Sequence, residues 1–167
     1  RTYLIKKNDE NLWKKLQGLV YGKYMSKAKI NPGLKAFLLK SKILNAKVFI
    51  VSHKTIHGHY DKEKNLLRSS ALKWIRKNKI TYIEKIYFES TILEKVRRID
   101  KLKLNFFVDD LSLILNHEYF PKNTKKILYS KNIPKIKNKK IIYAKTWSSV
   151  KNAIFGNDNI NHIKKYA

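Results

Sequence analysis

The chain has 167 residues, the size of one domain, and its 43% hydrophobic content is enough to build a core, which argues against intrinsic disorder. It contains no cysteine, which excludes disulfides, cysteine-ligated zinc and cysteine nucleophiles, and no apolar run approaches the ~20 residues that span a bilayer. The 38 Lys and Arg residues outnumber the 12 Asp and Glu residues, for a net charge of +26. We therefore predict a single domain over residues 1–167 in a cytoplasmic protein that does not associate with membranes.

The excess of positive charge has two interpretations. A polyanionic partner such as nucleic acid would favour it, because phosphates attract basic side chains and release counterions on binding. The other interpretation is codon bias, since 33 of the 38 basic residues are Lys spread along the whole chain, whereas nucleic-acid readout typically uses Arg. We favour codon bias, with nucleic-acid binding as the alternative, and expect the positive field to attract a phosphorylated substrate.

Three elements are predicted over the first fifty residues. Apolar residues at helical spacing predict a helix over 10–20. The Asn-Pro-Gly sequence at 31–33 is a typical helix start, with Asn as the cap and Pro in the first turn, and it predicts a second helix over 34–46. The apolar, β-branched run over 47–51 predicts a strand that is covered by helices on both faces and that Ser52 ends.

A helix, a strand and a second helix are predicted over the middle of the chain. The apolar stripe over 63–78 predicts the first helix, and the residues over 82–88 predict the strand. The second helix is predicted over 91–102. It begins at Thr91, and Glu94, three residues later, completes a capping box.

The rest of the chain contains three predicted strands and a closing helix. The strand over 104–108 is strongly apolar, the strands over 126–129 and 140–143 are weaker, and the helix is predicted over 147–155. Strands that alternate with helices of ten or more residues predict an α/β fold with a mostly parallel sheet and right-handed crossovers.

Paired acids follow the strand over 104–108 at once. In parallel sheets ligands bind at the carboxyl ends of the strands, so Asp109, Asp110 and Ser52 are expected at one edge. Adjacent carboxylates repel each other, a bound cation relieves that repulsion, and Mg²⁺ takes one or two carboxylates together with water and phosphate oxygens. The alternative is that Asp110 caps a helix over 110–116 and that Asp109 is a loop acid.

The other candidate residues are weaker when each is taken alone. A hydroxyl at Ser52 is suited to donate to a phosphate oxygen, but it also suits a turn. Lys95, in a chain so rich in lysine, is by itself expected on a solvated helix face. His53, His57 and His59 lie in one polar loop, yet their spacing lacks the helical register of a zinc protease motif, so zinc is the minority interpretation.

Taken in order, these features resemble the haloacid dehalogenase-like superfamily of hydrolases. The apolar strand KVFIVS at 47–52 resembles that family's second motif, and FFVDDL at 106–111 resembles its fourth. Between them, Lys95 falls on a helix where the third-motif lysine is found. The match covers roughly residues 30 to 130. It implies a three-layer α/β/α, doubly wound, mostly parallel sheet with a Rossmann-type core.

The resemblance also implies a chemistry for the full-length protein. It implies an aspartate nucleophile that attacks a phosphoryl group and forms an aspartyl-phosphate, with Mg²⁺ held by Asp109 and assisted by Asp110. Ser52 and Lys95 would hold the phosphoryl oxygens. The implied catalytic set is therefore Ser52, Lys95 and Asp109, and the implied activity is that of a Mg²⁺-dependent phosphatase.

One motif of the family has no counterpart in the sequence. The first-motif strand, which would supply the nucleophile, is expected upstream of Arg1, and the chain without it is expected to be inactive. Ser52, together with His53, Lys54 and Thr55 just beyond it, would bind the substrate, a phosphorylated small molecule or a nucleic-acid end. A non-catalytic scaffold of the same fold is the other alternative, and the sequence does not indicate an oligomeric state.

Overall fold

A computed structural model describes three stretches of the chain, residues 10–58, 64–135 and 138–156. These residues form a mixed α/β structure that divides into two compact units. The first unit comprises the described residues up to Ile30 and those from Ser41 to Lys95. The second comprises Asn31–Lys40 and the described residues from Val96 onward. The prediction of one domain stays a prediction. Within the described stretches, no helix is both long enough and apolar enough to cross a membrane.

The helices are α1 (Glu10–Tyr21), α2 (Leu34–Ile43), α3 (Leu67–Lys77), α4 (Ile92–Lys101), α5 (Ser112–Leu115) and α6 (Trp147–Phe155). A short 3-10 helix (Met25–Lys27) follows α1. The strands are β1 (Phe49–His53), β2 (Lys85–Glu89), β3 (Phe106–Asp109), β4 (Lys125–Tyr129) and β5 (Ile141–Ala144). Strands and helices alternate from β1 to β4, whereas two α-helices precede β1 and no helix is described between β4 and β5.

The first unit contains the parallel pair of β1 and β2, with α3 between them in the chain. Ser52 of β1 lies opposite Phe88 of β2, so the carboxyl ends of both strands lie at the same edge. Val51 is buried in the middle of β1, and Leu67 and Ala71 on α3 are also buried. The predicted parallel pairing is confirmed for these strands.

The second unit contains a three-stranded parallel sheet in the order β3-β4-β5. Its centre is Ile127 of β4, which is fully buried, and the core of the unit includes Leu115 on α5 and Val150 on α6. In this sheet too, parallel pairing brings the carboxyl ends of the strands to one edge. Asp109 is the last residue of β3 and therefore lies at that edge.

Several predicted boundaries are wrong by a few residues. The strand predicted over 47–51 is β1, so Ser52 lies inside the strand and His53 ends it, because pairing with β2 continues to Glu89. The helix predicted over 34–46 ends at Ile43, because Asn45 has a left-handed φ of 51°.

The start of α2 also differs from the prediction. The Asn-Pro-Gly sequence forms a turn before the helix rather than its cap and first turn, and Leu34 is the first helical residue. Gly33 has a φ of 84°, which favours glycine, and a Cβ there would lie 3.2 Å from the Cβ of Trp147. The closing helix predicted over 147–155 is confirmed as α6.

The capping box at the start of α4 is confirmed. The Glu94 N–H donates to Thr91 Oγ1 over 3.1 Å, and the Thr91 N–H donates back to Glu94 Oε2 over 3.0 Å. The Ser90 N–H donates to the same carboxylate oxygen over 2.9 Å. Hydrogen bonds from the Thr91 and Ser90 N–H groups lower the pKa of Glu94, because they stabilise its charged form.

Thr91→Ala should lower the free energy of unfolding by about 1 kcal/mol, because the Glu94 N–H then loses its acceptor. Chemical denaturation of the variant and the wild type measures the difference. Thr81→Ala is the matched control, because Thr81 is exposed and makes no hydrogen bond with any described residue. Equal stability of the two variants would show that the box does not stabilise α4.

The Glu94 side of the box should depend on pH. Its folded pKa is lowered, so its stabilisation is fully present above the ordinary value of 4.5 and is lost as the pH falls through the lowered pKa. The stability difference between wild type and Glu94→Ala should therefore be larger at pH 7 than in acid. Denaturation of both proteins across this range measures it, and a constant difference would contradict the assignment.

Candidate functional site

Ser52 is half-buried near the carboxyl end of β1. Its hydroxyl makes no hydrogen bond with any residue in the described stretches, although the backbone around it is fixed by pairing with β2. A hydroxyl on a rigid strand that no described residue engages is suited to donate to an incoming ligand. The alternative of a turn serine is wrong, because Ser52 lies within the strand.

Lys95 lies in the first half of α4 and is only 8% exposed. Among the lysines that the structure describes, it is the one buried side chain. The expectation from its residue type alone, a solvated face, is therefore wrong. Removing an ammonium group from water costs several kcal/mol unless it is paired or hydrogen-bonded, so burial at this one position needs a specific cause.

Asp109 ends β3 in the second unit and is 7% exposed, whereas the adjacent Asp110 is exposed. The Leu111 N–H donates to Asp109 Oδ1 over 2.9 Å, which fixes the carboxylate at the end of the strand. The cap residue of α5 is Leu111, and it makes no side-chain capping hydrogen bond. The alternative in which Asp110 caps this helix is therefore wrong.

The donor set at the end of β3 suits a hard cation. Asp109 and Asp110 supply carboxylate oxygens, which Mg²⁺ prefers over nitrogen and sulfur ligands. Within the described stretches, no group of three or more His, Cys, Asp or Glu side chains is positioned to bind a metal. Mg²⁺ usually takes only one or two carboxylates and completes its shell with water and phosphate oxygens, so these two acids fit it.

Two histidines, at the end of β1 and in the loop after it, contact backbone carbonyl oxygens. His53 Nε2 lies 3.0 Å from the Ser90 carbonyl oxygen, and His57 Nδ1 lies 2.9 Å from the Lys64 carbonyl oxygen. Because a carbonyl only accepts, both ring nitrogens must carry the proton and donate. The Thr55 hydroxyl donates to the His57 carbonyl oxygen over 2.6 Å. His59 lies outside the described residues, so the zinc interpretation gains no support from His53 and His57.

Lys54 follows β1 and is partly buried. Its Nζ lies 4.2 Å from the centre of the Tyr21 ring, a cation–π contact between the strand end and α1. Burial lowers the pKa of Lys54 below the ordinary value of 10.5, because the charged form loses hydration. Its backbone N–H donates to the Glu89 carbonyl oxygen, which joins the ends of β1 and β2.

Arg68 is the residue that sequence reasoning missed. It lies in the first turn of α3, its Nε donates to the Lys54 carbonyl oxygen over 2.9 Å, and its Nη2 donates to Ser90 Oγ over 2.9 Å. One guanidinium thus bridges the chain just beyond β1 and just beyond β2. The signal in the sequence was slight: Arg68 is one of only five arginines, in a chain that otherwise uses Lys.

The predicted site residues belong to two different units. Ser52, His53, Lys54 and Thr55 are consecutive at the end of β1 and lie together in the first unit, which also contains Lys95. Asp109 and Asp110 lie in the second unit. In each unit the candidate residues of the strands lie at the carboxyl end, as predicted, but β1 and β3 belong to two separate sheets, so the single shared edge that the sequence predicted is not observed.

Lys54 should titrate below the ordinary lysine pKa of 10.5, because its charged form is partly desolvated. An NMR titration of the reductively ¹³C-methylated protein would measure this, with Lys54→Arg used to assign the resonance. Since the folded pKa is the lower one, the unfolded chain binds more protons between the two values, so Lys54 makes stability rise with pH across that window. A Lys54 resonance titrating at or above 10.5 would contradict the burial.

Comparisons with protein-family models, with curated protein sequences and with solved structures gave no match. A functional assignment therefore depends on the side chains of this chain and on their surroundings. The mixed α/β structure with parallel sheets narrows the fold class but not the activity, because one fold hosts many functions.

Proposed function

We propose that the protein is a Mg²⁺-dependent phosphomonoester hydrolase with the three-layer, doubly wound fold of the haloacid dehalogenase-like superfamily. The supporting observation is the burial of Lys95 and Asp109. They are the charged side chains that are buried among the described residues, and both had been singled out by their motifs. Buried charges are costly and concentrate at functional sites, so their coincidence with two motif positions favours a function over chance.

The proposed roles follow from the surroundings of each residue. The Ser52 hydroxyl, which bonds to no described residue, donates a hydrogen bond to a phosphoryl oxygen, and the Lys95 ammonium balances the negative charge that develops on the phosphoryl group. Since Lys95 is shielded from water, its charge acts more strongly than an exposed lysine would. His53, Lys54 and Thr55 line the approach to Ser52.

The metal assignment concerns the end of β3. Asp109, with Asp110 beside it, would hold Mg²⁺. When bound, the cation would neutralise negative charge on the phosphoryl group. The hydrogen bond from Leu111 keeps the Asp109 carboxylate in one orientation. The proposed reaction also needs an aspartate nucleophile, and among the described strands Asp109 is the only aspartate. The cytoplasm is the proposed location, which the absence of cysteine favours.

Asp109→Asn should weaken Mg²⁺ binding in the presence of orthophosphate by at least ~10-fold, because the amide oxygen lacks the charge of the carboxylate. Isothermal titration calorimetry measures the affinity. The matched control is Asp100→Asn, because the Asp100 carboxylate forms an exposed ion pair with Lys103, and this variant should bind as the wild type does. If both substitutions weaken Mg²⁺ binding equally, or if neither weakens it, Asp109 is rejected as a metal ligand.

Nucleic-acid binding is the second candidate, and exposed tyrosines in the first unit favour it. Tyr21 and Tyr24 are each 43% exposed, and the Nζ of Lys27 lies 5.1 Å from the centre of the Tyr24 ring. Proteins that bind single-stranded nucleic acid without sequence preference use aromatic rings beside basic side chains, since bases stack on the rings while phosphates contact the cations. The net charge of +26 also favours nucleic-acid binding.

This candidate predicts a steep fall of single-stranded DNA affinity with salt, because bound phosphates release counterions. Fluorescence anisotropy at several salt concentrations measures the slope. Tyr24→Leu should weaken binding by roughly 1 to 3 kcal/mol if a base stacks there. Tyr119→Leu is the control, because Tyr119 is an exposed tyrosine of the second unit. A flat salt response would reject nucleic-acid binding.

A further inference from the structure

Four residues are joined by hydrogen bonds where β1 and β2 end in the first unit. They form what we call the Arg68 cluster: His53, Lys54, Arg68 and Ser90. Three of the four carry or can carry a positive charge. The cluster lies just beyond Ser52, on elements whose backbones are joined by the β1–β2 pairing.

Arg68 is fixed along one edge of its guanidinium. Its Nε donates to the Lys54 carbonyl oxygen and its Nη2 to Ser90 Oγ, and each bond is 2.9 Å long. A guanidinium has five N–H groups, and these two contacts use two of them. The other three have no partner among the described residues, so the fork is held in one orientation with donors still available.

Within the stretches that the structure describes, Arg68 also forms no ion pair. Among the described residues, no carboxylate oxygen lies within 4.0 Å of its guanidinium nitrogens. Glu94 is near enough to interact electrostatically, but its carboxylate accepts the N–H groups of Ser90 and Thr91. Lys54 contributes its carbonyl oxygen to the cluster, while its partly buried ammonium group contacts the Tyr21 ring. The cluster is therefore a positively charged site with oriented donors.

We propose that Arg68 binds a second phosphate group of the substrate, distinct from the phosphoryl group that is removed. The inference rests on the proposed function, because that function assigns the reacting phosphoryl group to Ser52 and Lys95. A planar guanidinium matches phosphate oxygens with two parallel hydrogen bonds, which a lysine does not provide. This fits an arginine at this position in a chain whose basic residues are mostly lysine.

The position of the cluster limits the substrate. Ser52 and Lys54 are two residues apart at a strand end, which separates their Cα atoms by roughly 7 Å. The two phosphates are therefore expected on the order of 5 to 10 Å apart, given the strand rise per residue. The substrate class is a bisphosphate whose phosphates are separated by a small carbon skeleton, such as a sugar.

Adenosine 3′,5′-bisphosphate and adenosine 5′-monophosphate are suitable probes, since they differ by one phosphate on the same sugar. Calorimetry with Mg²⁺ present should give the wild type a preference of about 10-fold or more for the bisphosphate. Arg68→Ala should abolish this preference. Arg76→Ala, which removes the same charge from an exposed position on α3, should keep the preference.

Three results would overturn the inference. They are equal affinity of the wild type for both probes, a preserved preference in Arg68→Ala, and an equal loss of preference in Arg76→Ala. If Arg68→Ala does not fold, Arg68→Lys replaces it, because it retains the charge without the planar fork and should still lose most of the preference. Circular dichroism verifies the folding of each variant.

Failure of the proposed function would look different. In that case the monophosphate affinity would be insensitive to Mg²⁺ and to Asp109→Asn. The role of Arg68 is measured only from the difference in affinity between the bisphosphate and the monophosphate for the same protein. The two outcomes can therefore be separated within the same set of titrations.

Discussion

Parallel strand pairing determines where functional side chains can lie in both units. In the first unit β1 and β2 run in the same direction, and in the second β3, β4 and β5 do so. Because parallel strands end at one edge, residues far apart in sequence come together there without any loop having to position them. His53 and Ser90 meet in this way, although 37 residues separate them.

Electrostatics adds a second constraint. The chain carries a net charge of +26, and its described lysines are at least partly exposed except for Lys95. Exposed lysines cost little, since water and salt screen them. A buried lysine or carboxylate must be balanced by a partner, whether protein or ligand. The burial of Lys95 and Asp109 thus distinguishes these two residues from the many exposed charged residues, whose charge alone does not indicate a function.

The sequence predicted features that depend on local chemistry better than features that depend on packing. The capping box of Thr91 and Glu94 and the bounds of α6 follow from neighbouring residues, and both are confirmed. The end of β1 was missed, because pairing with β2 rather than the apolar run sets it. The burial of Lys95 was missed as well, since residue type favours exposure. Arg68 was missed because its contacts come from two distant turns.

The most direct test of the account is the orthophosphate affinity of Lys95→Met with Mg²⁺ present, measured by calorimetry beside Lys101→Met, an exposed lysine of the same helix. Methionine preserves the length and apolar volume of the buried side chain but removes its charge. The account predicts a loss of at least ~10-fold in Lys95→Met, since a shielded charge acts strongly on a bound anion, and wild-type affinity in Lys101→Met. Wild-type affinity in both variants would contradict a role for Lys95 in phosphate binding.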